Sequence, residues 1–126
     1  MEITALDHIV ITTADIKQCC AFYEGILGLK HKVINGHHAF YFGQQKINVH
    51  CKPREFLPAA AYPTCGSQDF CLVVKGDICE IKQEIESKGY PVEEDVVIRN
   101  GALGIMQSIY LRDADGNLVE LAVYEK

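Results

Sequence analysis

A chain of 126 residues, 48% of them hydrophobic, is long enough to bury one sizeable core and suits a single compact domain. A net charge of −5, with no run of Lys or Arg, excludes the electrostatic footprint of a nucleic-acid binder or of a protein held on an anionic membrane surface. No apolar stretch approaches the roughly 20 residues that span a bilayer, and no basic segment followed by an apolar one opens the chain, so a cytoplasmic protein is expected.

The first strand is expected around Ile3–Thr12. Asp15-Ile16-Lys17-Gln18 has the form of a capping box, Ile16, Cys20, Tyr23 and Leu27 make a helical stripe, and Gly28 supplies the stop. Three strands follow at about 29–35, 38–43 and 46–52, with turns at Asn35-Gly36 and Gly43-Gln44. His37 and His38 adjoin the first of these turns and, with His31, stand apart from any functional pattern; those two read as exposed loop residues. Pro53, Pro58 and Pro63 make 53–67 an irregular linker, because proline removes backbone donors and restricts its neighbours.

The plan then begins again. A strand around Gln68–Lys75 leads to a second capping box, Asp77-Ile78-Cys79-Glu80; Ile78, Ile81 and Ile85 make the stripe and Gly89 ends it. Strands at about 91–99, 106–112 and 117–124 complete the module. The cap aspartates are 62 residues apart (77 − 15) and the stop glycines 61 (89 − 28), so the chain is a repeat. It is α+β: βαβββ twice, module one over about 1–52, linker 53–67, module two over about 68–126.

Six cysteines do not make a disulfide framework. Cys19 and Cys20 are adjacent within a helix, Cys71 lies in an apolar strand, Cys79 in the second helix, and no CxxC pair suggests zinc. Buried free thiols in a reducing compartment account for them.

The run Asp113-Ala114-Asp115-Gly116-Asn117 is a hairpin turn by composition; it lacks the ligand spacing of an EF-hand loop. On the strand that follows, Val119, Leu121 and Val123 point one way and Leu118, Glu120 and Ala122 the other. A carboxylate among aliphatic residues is costly unless it is paired, wet or bound to a cation, which singles out Glu120.

Asp7-His8-Ile9-Val10-Ile11, Phe22-Tyr23-Glu24-Gly25-Ile26-Leu27-Gly28-Leu29 and Asp113-Ala114-Asp115-Gly116-Asn117-Leu118-Val119-Glu120-Leu121 occur in the order and spacing of the vicinal oxygen chelate superfamily, which the chain resembles over nearly its whole length. That group includes glyoxalase I, fosfomycin-resistance thiol transferases, extradiol dioxygenases and bleomycin-binding proteins; the nearest likeness is to glyoxalase-domain-containing proteins. The resemblance implies a metal-lined cleft formed by the paired modules, in a homodimer. His8, His50 and Glu120 fall at ligand positions, and Asp69 stands where the family commonly has His, giving an N/O set for Ni, Zn, Mn or Fe. Glu120 or Asp69 would shuttle the proton of a lyase or isomerase acting on a small oxygen-chelating metabolite, resembling lactoylglutathione lyase. Phe40, Phe42, Met106 and Tyr110 are candidate pocket-wall residues, and Arg99 beside Asn100-Gly101-Ala102-Leu103-Gly104 is placed to hold an anionic substrate group. A thiol transferase, a dioxygenase and a non-enzymatic drug- or metabolite-binding protein remain open alternatives on the same scaffold.

Overall fold

The computed structural model describes residues 1–125. The chain divides into two compact units: residues 1–67 with 114–116, and residues 68–113 with 117 onward. Each is a βαβββ module, and the two have the same topology.

In the first unit, β1 (His8–Thr12), β2 (Lys30–Ile34), β3 (His37–Phe42) and β4 (Gln45–His50) form a sheet of order β1-β4-β3-β2, with β1 parallel to β4 and the other pairs antiparallel. β1 begins five residues later than Ile3, because its ladder opens at His8 opposite Lys46. β4 starts only at Gln45, so the segment before His8 has no strand to pair with. Helix α1 (Ile16–Cys20) is capped by Asp15, whose Oδ1 accepts from the backbone N–H of Lys17 at 3.1 Å and of Gln18 at 3.2 Å. The helix then widens into a π-turn over Ala21–Ile26, around Gly25, a residue of weak α preference. Gly28, at φ +74°, ends it as expected. Asn35 (φ +52°) and Gly36 (φ +78°) form the tight turn between β2 and β3 that their left-handed tolerance allows.

Tyr23 stacks on Phe40 at 5.1 Å and meets Phe22 edge-on at 4.8 Å; with Ile11, Ile47 and Val49 these fully buried side chains make the unit's core. Phe40 therefore belongs to the core. Phe40→Ala is expected to cost about 3–5 kcal/mol in urea unfolding, the range for emptying a buried aromatic site.

In the second unit, β5 (Asp69–Val73), β6 (Glu94–Gly101), β7 (Gly104–Arg112) and β8 (Leu118–Tyr124) form a sheet of order β5-β8-β7-β6, again with its outer parallel pair β5–β8. Helix α2 (Ile78–Ser87) is capped by Asp77, which accepts from Cys79 N and Glu80 N, both at 3.0 Å. Its Ile78 and Ile85 are buried, as are Ile109, Leu111, Val119 and Leu121 on alternate strand positions.

The Asp113–Asn117 turn is more than a tight connection. Asp113 accepts from Asn117 N at 2.9 Å and from Asn117 Nδ2 at 2.7 Å, and Asn117 Oδ1 accepts from Gln68 N at 2.8 Å, tying the turn to the entrance of β5. Both side chains are buried, so the polar groups are matched where water is excluded.

All six cysteines are free, as expected, but only Cys19 is buried; Cys65, Cys71 and Cys79 are exposed. Five of the six thiols thus stand outside the core, at half-buried or exposed positions. Among the described residues no helix is long and apolar enough to cross a membrane.

Candidate functional site

Each unit carries a pair of donors at the same register position. His8, the first residue of β1, is exposed, and its Nδ1 lies 2.8 Å from Asp7 Oδ1. An ionised carboxylate only accepts, so Nδ1 is the donor of this contact, the arrangement in which a second group orients an imidazole ring. β1 and β4 pair His8 with Lys46 and Val10 with Asn48, so Asn48 is the diagonal same-face neighbour of His8.

In the second unit β5 and β8 pair Asp69 with Leu118 and Cys71 with Glu120. Glu120 is thus diagonal to Asp69 just as Asn48 is to His8. Sequence reading did not single out Asn48; strand pairing sets it at the β4 position that corresponds to Glu120 in β8.

His50 does not join His8. The register sets it opposite Thr12, four residues further along, or about 13 Å at 3.3 Å per residue. Its ring meets Phe56 edge-on at 5.3 Å, and His37 stacks on the same Phe56 at 3.7 Å. His37 and His38 are also not loop residues: both lie in β3 and His31 in β2. His31 Nε2 and His38 Nδ1 are 2.9 Å apart, and Cys20 Sγ lies 3.8 Å from the His31 ring nitrogens. The Asn35-Gly36 turn is so tight that strand pairing begins at once on either side of it, drawing these histidines into the sheet.

Glu120 is half-buried on a central strand, and its Oε2 accepts from Ser108 Oγ at 2.7 Å; Ser108 is fully buried. Cys71 stands opposite Glu120 on the other side. Although Cys71 as a residue is exposed, burial of its sulfur, then the Glu120 charge and a hydrogen bond to it, push the thiol up to about 11, so it stays a neutral neighbour.

Tyr110 of β7 is directly opposite Glu120 on the same face. Arg99 Nε donates to Tyr110 Oη at 2.9 Å, and its guanidinium lies 5.5 Å from the ring centroid. Arg112 forks onto Glu93 through Nε at 2.7 Å and Nη2 at 3.2 Å. Glu93, Glu94, Arg99, Tyr110, Arg112 and Leu118 line a cavity of about 270 Å³.

Arg99 and Tyr110 thus both line this cavity. Phe40 and Phe42 do not line it: they pair with Ile47 and Gln45, on the sheet face opposite His8 and Asn48, and Phe40 is fully buried. Met106 is buried opposite Arg99 and fills space against Gly101, where a Cβ would come within 2.6 Å of its sulfur.

Histidine nitrogen and carboxylate oxygens suit a divalent transition metal. Among the described residues, however, no three His, Cys, Asp or Glu side chains come together as a metal set.

A family model described as the Glyoxalase/Bleomycin resistance protein/Dioxygenase superfamily matches residues 5–121. The crystal structure of virulence protein STM3117 from Salmonella typhimurium is 41% identical, with a TM-score of 0.95, covering 99% of this chain and 100% of that one. Glyoxalase domain-containing protein RDO1 of Mycosarcoma maydis is 40% identical over 99% of this chain and 71% of its own length. A lactoylglutathione lyase structure from Agrobacterium tumefaciens is 25% identical with a TM-score of 0.75, covering 97% and 95% of the two chains. A repeated βαβββ plan, with the same strand order in its two sheets and matched by the family model across 5–121, places this chain in the Glyoxalase/Bleomycin resistance protein/Dioxygenase superfamily.

Proposed function

We propose that this chain is a metal-dependent lyase or isomerase of the glyoxalase type, acting on a small metabolite with two neighbouring oxygens, and that it works as a homodimer. The observation that carries this reading is the setting of Glu120: a carboxylate on a central strand, held by a buried Ser108, opposite a Tyr110 that lines a cavity. A general base needs that combination of fixed position and reach to substrate.

His8, Asp69 and Glu120 would hold the ion, with the Asn48 amide oxygen as a weaker fourth donor, the two half-sites coming from two copies of the chain. When bound, the ion supplies Lewis-acid stabilisation to the substrate oxygens. Glu120 removes the proton from one carbon and returns it to the neighbouring one. Ser108 keeps the carboxylate aimed while it does so, and Arg99 and Tyr110 hold the substrate's far end. With Asn48 in the place of His50, the set has one histidine. That disfavours a ferrous dioxygenase, which needs two with its carboxylate, and a thiol transferase of the kind whose two-His-one-Glu set the chain resembles.

The test is exchange of solvent deuterium into a panel of α-hydroxycarbonyl compounds and 2-oxoaldehyde–thiol adducts by protein reconstituted with Mn, Ni, Zn or Fe. Exchange supports the reading. Turnover in thiol-transfer or O₂-consumption assays without exchange would overturn it.

A further inference from the structure

We infer that the cavity of the second unit is a carboxylate subsite, with Arg99 as the residue that selects a small monoanionic substrate end. This rests on the proposed function only in placing the reacting carbon beside Glu120; the binding itself needs neither metal nor turnover.

The cavity has its own charge arithmetic. Two guanidinium groups, Arg99 and Arg112, and two carboxylates, Glu93 and Glu94, line it. Arg112 and Glu93 satisfy each other through the forked pair, and Arg112 also lies in the field of Asp69. Arg99 is different. Its contacts are a phenol oxygen and the Ile98 carbonyl at 3.1 Å, neither of which neutralises a cation. It is thus the one lining cation whose charge no described carboxylate pairs with. Its fork geometry fits a carboxylate through two parallel hydrogen bonds.

Three further features fix the ligand class. The Arg99 guanidinium is held beside the Tyr110 ring, so a carboxylate gains a preplaced donor rather than a wandering surface side chain. Tyr110 stands opposite Glu120, so a ligand anchored at Arg99 extends along the ring toward that carboxylate. The lining has no net charge, and a dianionic phosphate would be repelled by Glu93 and Glu94 about twice as strongly as a monoanionic carboxylate, with only Arg99 unpaired to offset it. A volume of about 270 Å³ admits about nine non-hydrogen atoms at roughly 30 Å³ each. The geometry fits a short 2-oxo or 2-hydroxy carboxylic acid, not a nucleotide or a peptide.

The experiment is a heteronuclear NMR titration of the metal-free dimer or monomer, whichever the chain forms, with lactate, pyruvate, lactamide and inorganic phosphate. Lactate or pyruvate should shift the amides of 93–99 and 108–112 with saturation, lactamide should bind at least about tenfold more weakly, and phosphate should not saturate. Arg99→Gln should weaken carboxylate binding by about tenfold or more, while Arg99→Lys, which keeps the charge but not the fork, should fall between. Arg99 is exposed, so its variants should melt with the parent and folding will not obscure the result. Saturable binding of phosphate in preference to carboxylate, equal affinity for the acid and its amide, or an Arg99→Gln variant that binds like the parent would each overturn the inference. Carboxylate binding lost with Arg99, in a protein that never exchanges deuterium, would leave this subsite standing and the proposed reaction overturned.

Discussion

Replacing Glu120 by Gln is expected to lower deuterium exchange by at least about 10²–10⁴-fold, because it removes a positioned general base and, with it, one of the proposed ligands of the ion. Glutamine keeps the length of the side chain and an oxygen that can accept from Ser108, so the fold should be nearly undisturbed. Glu120→Ala is the contrasting variant. It leaves the Ser108 hydroxyl, fully buried, without its acceptor, and should cost about 1–3 kcal/mol in urea unfolding on top of the same loss of exchange. Ser108→Ala should leave the carboxylate present but unaimed, so exchange falls by less than in either Glu120 variant. Metal content measured on the same samples separates loss of the ion from loss of proton transfer. A Glu120→Gln protein that exchanges at the parental rate would remove Glu120 from the reaction.

The repeat was legible because its marks are local. Asp15 and Asp77 cap helices through their own side chains, and Gly28 at φ +74° and Gly89 at φ +77° end them, so neither feature needs tertiary information. Glu120 was legible for a similar reason: one carboxylate in an aliphatic run is an anomaly that alternation exposes. Register is not local. His50 lies two positions beyond Asn48 along β4, a spacing that keeps the side chain on the same sheet face and leaves the hydrophobic pattern unchanged, so only strand pairing shows that Asn48 stands nearer His8. The face of β3 was misread by one position. Phe40 looks like pocket wall or core equally well until pairing with Ile47 sets it against Tyr23. The widened turn at Ala21–Ile26 leaves the apolar stripe nearly intact, so periodicity alone does not reveal it.

Mixing two inactive variants should restore activity. His8→Ala removes one half-site and Glu120→Gln the other, and each protein alone should bind no stoichiometric metal. On the proposed reading the ion takes its donors from two copies, so each variant would spoil a different half of the same site. The chain also leaves large apolar side chains in water: Ile3 at 87% exposure, Leu6 at 62% and Val73 at 64%, surface that a partner chain would cover. In a two-fold dimer each site would take His8 from one chain and Glu120 from the other. A mixed dimer then holds one intact site and one doubly defective site, and random reassortment of equal amounts should recover about one quarter of the parental sites. Both bound metal and deuterium exchange should return to that level after the variants are unfolded and refolded together, and neither should return if they are refolded apart. A mixture as inert as its components would mean that each chain must supply its whole site. A parental protein that exchanges deuterium at a solution mass of 14.1 kDa would show the same thing without any variant.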